Sequence, residues 1–330
     1  MSRKKAASAA LALAVTAGCL ILAARNVRFG ELWIVLSGAR MIWLIPLLLI
    51  SLVDLAIRAA RWKILLKRAA KAPTPLLFRL EAIGIALNNV LFMRLGEVAR
   101  AFLAARELGI PTMTVLASVA VERALDLAAL LALFCAASAG LPALVPAPLR
   151  RAGLLLLAGA ILALVLLALA EKPLSSGGAW ERRLRRWPAL HKLVAQLSAG
   201  AAVLREPAAA AQAVLWSLVL WSIDALFYWA GARALDMGSF VDYPRSILIL
   251  SWAGAGAALP AAPGAFGTFE ALVKSILVDL GAPDAAAFGY AVFNHMTGYI
   301  MVTAIGLAFL WKIELSFSEL QGALSREKGK

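Results

Sequence analysis

Three ionisable residues lie beside a break in an apolar stretch, and their types suit the binding of an anion. Arg94, Glu97 and Arg100 recur at intervals of three, which places them on one face of a short helix. Arginine binds phosphate well because its planar guanidinium donates two parallel hydrogen bonds. We expect Arg94 and Arg100 to bind a phosphate or another anionic group, with Glu97 orienting an arginine. The alternative is an internal ion-pair network that only holds helices together.

A second break lies at residues 260–270, where two prolines and two glycines interrupt another apolar run. Proline removes a backbone donor and glycine permits unusual turns. A helix that starts near Thr268 would direct free N–H groups at the break and favour an anion there. Alternatively, Glu270 only complements the helix dipole. The expected anion-binding residues of this break are Gly264, Gly267, Thr268 and Glu270.

The elements that must position these residues are apolar helices. Of the 330 residues, 62% are hydrophobic and 16% are charged, and the mean hydropathy is +0.84. Several runs reach the roughly 20 residues that cross about 30 Å of hydrocarbon. We therefore expect an all-α, polytopic integral membrane protein. Because lipid satisfies neither open backbone nor ionised side chains, broken helices that carry charge indicate a cavity enclosed by protein or filled with water.

The apolar runs predict six full spans and two broken helical hairpins in two halves. The spans are expected near residues 6–24, 41–66, 112–139, 151–170, 209–233 and 284–311. The predicted boundaries are a first half at 1–140 with its hairpin at 77–108, a second half at 141–312 with a basic linker at 171–207 and a hairpin at 244–281, and a polar tail at 313–330. Asp54 and Asp224 hold equivalent positions in the two halves. We predict an inverted repeat with re-entrant hairpins, although hairpins that span fully would preserve the same parity.

Basic residues concentrate in four segments, at 1–5, 63–79, 171–207 and from 312 to the end. The positive-inside rule therefore predicts that both termini are cytoplasmic. The formal net charge of +14 is attributed to topology and to anionic lipid headgroups, and not to nucleic-acid binding.

Polar residues within the other apolar runs are expected to line or support the site. Asp54, Arg58 and Arg61 share a helical face, although both arginines could instead extend to the membrane interface. Glu122 and Asp126 also share a face, and are expected to pair with arginine or to relay protons. His295 is either a hydrogen-bonded structural residue or a proton carrier. The supporting set is Asp54, Arg58, Arg61, Asn88, Asn89, Glu122, Arg123, Asp126, Asp224, Asn294 and His295.

No catalytic or cofactor-binding motif accompanies these residues. The sequence has no nucleophile elbow, no Walker loop and no metal-ligand spacing. Its two cysteines, Cys19 and Cys135, lie in separate apolar runs, which supports neither a disulfide framework nor a zinc site. We expect no metal, no cofactor and no enzymatic activity. A membrane transferase that uses only a carboxylate and arginines stays open.

Four motifs resemble the transmembrane, flippase-like region of bacterial lysylphosphatidylglycerol synthases. They are residues 58–62 (RAARW), 88–100 (with RLGE at 94–97), 122–126 (ERALD) and 263–270 (PGAFGTFE). The resemblance implies a multi-pass protein of the bacterial-type inner membrane that moves a lipid between leaflets. For stand-alone members it also implies hopanoid or other isoprenoid lipids as a substrate class. Full synthases carry a soluble aminoacyl-transferase domain after the membrane part, so we expect a stand-alone member that lacks that activity.

Residues and resemblance together predict a flippase-like transporter of an anionic or isoprenoid lipid, without nucleotide hydrolysis of its own. One alternative is a non-transporting membrane partner that presents lipid to a separate synthase or glycosyltransferase. A second alternative is an intramembrane transferase. The expected partners are membrane lipid and, under the first alternative, a lipid-modifying enzyme.

Overall fold

The protein is described by a computed structural model over residues 3–91, 95–169, 185–188, 190–191, 202–259 and 263–312. The predicted tail at 313–330 and most of the predicted linker at 171–207 lie outside these residues. The described part is 84% helix and has no strand, which confirms the all-α prediction. Its helices are α1 (Arg3–Ala24), α2 (Phe29–Ser37), α3 (Leu44–Leu66), α4 (Thr74–Val90), α5 (Leu95–Leu108), α6 (Thr112–Gly140), α7 (Ala147–Leu169), α8 (Pro207–Ala234), α9 (Tyr243–Ala258), α10 (Thr268–Asp279) and α11 (Asp284–Lys312). Short 3₁₀ turns occupy Met41–Trp43, Ala202–Arg205 and Pro263–Ala265.

Four segments of the described chain are long and apolar enough to cross a membrane. They are Met41–Leu66, Ala147–Leu169, Pro207–Ala234 and Asp284–Trp311, and they coincide within a few residues with four of the six predicted spans. The other two predicted spans, at 6–24 and 112–139, fall in α1 and α6. Whether α1 and α6 cross the bilayer stays a prediction, as does the re-entrant form of the hairpins.

Proline and a capping carboxylate define where three helices begin. Pro75 and Pro207 lie in the first turns of α4 and α8, where the missing N–H costs no intrahelical hydrogen bond. At the start of α9, the Asp242 carboxylate accepts a hydrogen bond from the Arg245 backbone N–H at 2.9 Å. These local signals are readable in the sequence and favour helix starts at these positions.

The interior forms where helices of the two halves pack on each other. Helix α3 packs along α8, α4 along α11, and α6 against α9. Within each half the broken segments stay together, α4 with α5 and α9 with α10. Helix α7 packs mainly on α6, and Gly153 is the one residue of α7 that is buried. The central helices therefore come from both halves, while α7 lies at the periphery.

The ends of α3 and α8 are also joined across the halves by hydrogen bonds at the protein surface. Lys67 Nζ and Arg68 Nε donate to the Glu206 carboxylate at 2.9 and 3.0 Å. These hydrogen bonds lower the pKa of Glu206. Because the three side chains are largely exposed to solvent, the contact adds little to stability.

Close packing of α11 on α4 depends on small residues. A Cβ atom built on Gly306 would overlap the backbone oxygen of Ala82 and the methyl group of Ala86. Small residues let helix backbones approach closely in membrane proteins, where dispersion contacts replace the hydrophobic driving force. Gly306 is therefore a contact point between the two halves.

Replacing Gly306 with alanine is expected to lower the free energy of unfolding by about 1–3 kcal/mol, the usual cost of overpacking. The backbone of α4 cannot move aside as a flexible side chain could. The change is measured by unfolding the protein in mixed detergent micelles of increasing sodium dodecyl sulfate content and monitoring helix content by far-UV circular dichroism. Gly159→Ala on α7 is the matched control, because a Cβ there meets no atom within 4 Å. Equal stability of the two variants would contradict the close approach.

Candidate functional site

Ion pairs in the interior connect helices α3, α4, α5 and α6. The Arg61 guanidinium of α3 lies 2.5 Å from the Asp126 carboxylate and 3.4 Å from that of Glu122, both on α6. Arg100 of α5 lies 2.9 Å from Glu122 and also pairs with Glu81 of α4. Arg123 pairs with Glu122, and with Asp126 at 3.1 Å. The buried ion cluster comprises Arg61, Glu81, Arg100, Glu122, Arg123 and Asp126.

The buried ion cluster is balanced in charge and largely shielded from solvent, with only Arg123 partly exposed. It contains three guanidinium groups and three carboxylates, and the side chains of Arg61 and Glu122 are both 0% exposed. The Arg100 guanidinium lies over the ring of Trp62, 4.8 Å from its centroid, which adds a cation–π contact. Charges at bilayer depth are tolerated when they neutralise one another. This arrangement favours a structural role for the cluster.

Two hydrogen-bonding side chains of α8 extend the cluster towards the second half. Ser217 accepts a hydrogen bond from Arg61 at 3.0 Å, and the Trp221 indole donates to Asp126 at 3.1 Å. The ring of Trp221 also faces Arg58, whose guanidinium carbon lies 5.9 Å from the ring centroid. Trp221 thus contacts both the cluster and Arg58, which belongs to a second polar region.

That second region is a cavity of about 330 Å³ between α3, α4, α8, α10 and α11. Polar and aromatic side chains line it, with Asp54 and Arg58 from one half facing Asp224 and His295 from the other. We call it the central cavity. The polar and aromatic residues that line it are Ser51, Asp54, Arg58, Asn89, Asp224, Phe227, Tyr228, Phe269, Asn294, His295 and Tyr299.

In the ion cluster every charged side chain contacts one of opposite charge. In the central cavity one carboxylate lacks such a contact within the described part of the chain. Arg58 donates from Nε to Asp54 at 2.7 Å, and from Nη2 at 3.2 Å. No hydrogen bond or ion pair joins the Asp224 carboxylate to another residue in the described ranges. Asp224 is neither buried nor fully exposed. The cavity therefore offers a carboxylate that is free to bind a ligand group, next to an arginine that is already paired.

The first break adjoins the central cavity through Asn89. Its Nδ2 donates to Thr303 Oγ1 of α11 at 2.8 Å, and its backbone oxygen accepts from Tyr299 at 3.3 Å. Its neighbour Asn88 accepts from the Glu97 backbone N–H at 3.2 Å, which caps α5 across the break. Asn89 thus joins the end of α4 to α11, and Asn88 joins it to the start of α5.

The second break adjoins the same cavity through His295. Its Nε2 bonds to the Gly264 backbone oxygen at 2.8 Å, and its Nδ1 lies 2.6 Å from Glu270 Oε1. The other carboxylate oxygen accepts the Gly267 backbone N–H at 2.6 Å. Gly264 and Gly267 have φ angles of 75° and 85°, which glycine adopts at little cost. Thr268 is buried and donates to the Ala265 backbone oxygen at 3.0 Å.

The contacts of His295 join the second break to α11. A carbonyl oxygen only accepts, so Nε2 is the donor in the bond to Gly264. On the other side of the ring, Nδ1 bonds to the Glu270 carboxylate. Both ring nitrogens have partners, which agrees with the interpretation of His295 as a hydrogen-bonded structural residue.

The structure divides the predicted anion-binding residues between different places. Arg94 lies outside the described residues, as do residues 260–262 of the second break. Arg100 is 3% exposed and already paired with two carboxylates, so its placement does not support direct contact with a ligand. Glu97 lies 3.9 Å from Arg123, at the edge of the cluster. Glu270 itself caps the start of α10, which agrees with the alternative of a helix-dipole role.

The supporting residues divide in a similar way. Arg61, Glu122, Arg123 and Asp126 belong to the buried ion cluster, whereas Asp54, Arg58, Asn89, Asp224, Asn294 and His295 line the central cavity. Neither Arg58 nor Arg61 extends to the membrane interface, because Arg58 faces the cavity and Arg61 is fully buried. Glu122 and Asp126 both pair with arginine, as one of the two expectations had it, whereas Arg58 pairs with Asp54.

Sequence reasoning missed Glu81, Ser217 and Trp221. Glu81 could have been identified from the sequence. It is an ionisable residue in the apolar run at 77–93, where an unpaired charge costs as much free energy as at Asp54. Ser217 and Trp221 carried none, since a serine and a tryptophan in an apolar helix are common. Among the residues that the structure describes, no three His, Cys, Asp or Glu side chains are arranged to hold a metal ion.

The fold and the site define the class of the protein. It is an all-helical membrane protein with charged side chains enclosed between broken helices. The family described as Lysylphosphatidylglycerol synthase TM region matches residues 9–306, and the chain belongs to this family. The membership confirms the resemblance of the four motifs and indicates a membrane protein related to lipid handling. No curated protein and no solved structure matches the chain.

Proposed function

We propose that the protein moves the polar headgroup of a membrane lipid between leaflets through the central cavity, as a flippase-like transporter. The observation that carries the proposal is the position of this cavity, which touches both helix breaks through Asn89 and His295. Interrupted helices whose ends meet at a polar cavity are the usual construction of substrate sites in membrane transporters. Membership of a lipid-handling family supports lipid as the substrate class.

The dimensions and lining of the cavity suit a headgroup. Its volume of about 330 Å³ lies at the lower end of the roughly 300–1,000 Å³ of small-molecule sites. Arg58 can contact a phosphate through the donors that Asp54 leaves free. Asp224 can accept hydrogen bonds from hydroxyl or amino groups. A phosphate-containing headgroup that also carries donor groups fits this lining better than a bare anion, and an anionic lipid or an isoprenoid lipid with a polar head meets that requirement.

We extend the proposal to the arrangement in the membrane. Six spans and two re-entrant hairpins would form an inverted repeat, with both termini on the cytoplasmic side of a bacterial-type inner membrane. The exchange of partners between halves supports the repeat, because α4 packs on α11 and its counterpart α9 packs on α6. Under this arrangement the protein contributes a passage and no catalytic step.

Replacing Asp224 with asparagine is expected to slow lipid translocation about tenfold or more, the usual effect of losing a hydrogen bond to a charged group. The measurement uses proteoliposomes that contain a phosphatidylglycerol or a polar isoprenoid lipid with a dithionite-sensitive fluorescent label on its headgroup. External dithionite bleaches the label in the outer leaflet, so the decay of fluorescence reports how fast labelled lipid moves between leaflets. Asp279→Asn is the matched control, because Asp279 is exposed at the end of α10 and does not line the cavity.

Wild-type protein that moves no test lipid faster than empty liposomes would contradict the proposal. Increased activity of an added synthase or glycosyltransferase would then favour a membrane partner that presents lipid to it. Turnover of a donor substrate by the purified chain would favour a transferase. Equal translocation by Asp224→Asn and Asp279→Asn would place the passage elsewhere.

A further inference from the structure

A second polar pocket shares no lining residue with the central cavity and lies where α8 ends and the span of α3 begins. It has a volume of about 310 Å³. The segments Pro207–Ala234 and Met41–Leu66 are both apolar enough to cross the membrane, so the pocket lies at a membrane–water interface. We call it the interfacial pocket, and it is lined by Arg40, Trp43, Arg233, Asp236, Gly238 and Ser239.

The interfacial pocket has an excess of positive charge. Arg40 is matched by Asp236, at 3.2 Å. Arg245 extends to the Ser239 carbonyl at 3.5 Å and is matched by Asp242 at 3.8 Å. No carboxylate in the described ranges pairs with Arg233. One guanidinium therefore remains to bind an anion, and Arg40 adjoins it with an exposed side chain.

Aromatic rings hold Arg233 in a defined place. Its guanidinium carbon lies 5.0 Å from the centre of the Trp229 ring. Trp229 packs edge-on against Trp43 at 5.8 Å between centroids. When a guanidinium stacks on an aromatic ring, its N–H donors point outward in the plane of the guanidinium and stay free for a ligand. Tryptophan at the membrane interface also anchors the two helix ends at headgroup level.

The backbone around the pocket is fixed and leaves space for Arg233. The Arg40 backbone N–H donates to the Ala234 carbonyl at 2.8 Å, which ties the start of the α3 span to the end of α8. A Cβ on Gly238 would lie 2.6 Å from Arg233 Nη1, so any larger residue would displace the guanidinium. A site whose groups are already in place loses little entropy when it binds.

We propose that the interfacial pocket binds the phosphate of an anionic phospholipid, with Arg233 as the main ligand and Arg40 as the second. A phosphodiester offers two unesterified oxygens that match the guanidinium fork. Free inorganic phosphate shares this chemistry and is distinguished by the experiment. The proposal goes beyond translocation and does not depend on it, because a lipid can bind here whether or not the central cavity conducts.

Intact-protein mass spectrometry of the full chain in detergent tests the proposal with phosphatidylglycerol as the probe. Arg233→Gln is expected to weaken phosphatidylglycerol binding about tenfold, since it removes a charge-assisted contact. Gly238→Val should do the same without changing the charge, because it displaces the guanidinium. Arg151→Gln is the matched control. It removes an exposed arginine near the start of α7, and we expect less than a twofold change.

A second arm adds millimolar inorganic phosphate to the wild-type complex. Phosphatidylglycerol that stays bound identifies the lipid headgroup as the ligand, whereas displacement by the ion identifies a general phosphate site; both support the phosphate chemistry. Equal binding by Arg233→Gln, Gly238→Val and Arg151→Gln overturns the proposal. Loss in Arg233→Gln with full binding by Gly238→Val also overturns it, because the position of the guanidinium would then be irrelevant.

Discussion

Replacing Arg61 with alanine is expected to lower the free energy of unfolding by about 3–5 kcal/mol, the cost of leaving buried charges without a partner. The guanidinium is fully buried and contacts Asp126, Glu122 and Ser217. Without it, three carboxylates of the ion cluster would face two arginines in the protein interior. Water cannot compensate at Glu122, whose side chain is 0% exposed.

Unfolding of the purified protein in mixed micelles measures this effect. The control is Arg68→Ala, which removes an exposed arginine just after the end of α3 that pairs with Glu206 at 3.0 Å. We expect the control to cost less than about 1 kcal/mol. If the protein carrying Arg61→Ala does not accumulate, Arg61→Lys can replace it. Lysine keeps the charge but loses the two parallel donors of the guanidinium, so its loss of stability should lie between those of Arg61→Ala and Arg68→Ala. Similar stability of Arg61→Ala and Arg68→Ala would mean that the cluster is hydrated.

Filling the central cavity is expected to stop translocation while leaving the fold intact. Gly298 lines the cavity, and a Cβ built there meets only the Phe227 ring, at an ordinary contact distance of 3.4 Å. Gly298→Leu should therefore extend into the space that a headgroup would occupy. We expect translocation to fall at least tenfold, because a misplaced or excluded substrate loses most of its rate.

The matched control is Gly159→Leu on α7, where a Cβ meets nothing within 4 Å. Both variants should elute as the wild type does in size-exclusion chromatography, and their helix content should be unchanged. Translocation by Gly298→Leu at the wild-type rate would exclude the central cavity as the passage. Equal loss in both variants would indicate a general effect of added bulk in the membrane.

Hydropathy was enough to predict the helical elements. The expected spans at 209–233 and 284–311 differ by at most two residues from the segments Pro207–Ala234 and Asp284–Trp311. Both breaks were also visible in the sequence, because proline, glycine and charge interrupt apolar runs there. Helix α4 ends at Val90 and α5 begins at Leu95, while α9 ends at Ala258 and α10 begins at Thr268. Local composition accounts for these boundaries because each helix satisfies its own backbone in lipid.

The sequence did not show which polar residues form the buried ion cluster and which line the central cavity. Arg58 and Arg61 share a helical face, yet one lines the central cavity and the other belongs to the buried ion cluster. Side chains three positions apart on a helix point in directions that differ by about 60°. Arg58 pairs with Asp54 and faces Trp221, whereas Arg61 pairs with Asp126. Spacing along one helix gives no information about the helix that packs against it.

By itself, the sequence determined that the protein is an all-helical membrane protein, where its helices break and to which family its motifs belong. Only the tertiary structure decided that Arg100 is paired with Glu81 and Glu122, and that Asp54 and Asp224 share one cavity. The physical reason is the range of the forces involved. Helix formation in lipid depends on neighbours within a few residues, whereas ion pairs and cavities depend on which distant helices come into contact.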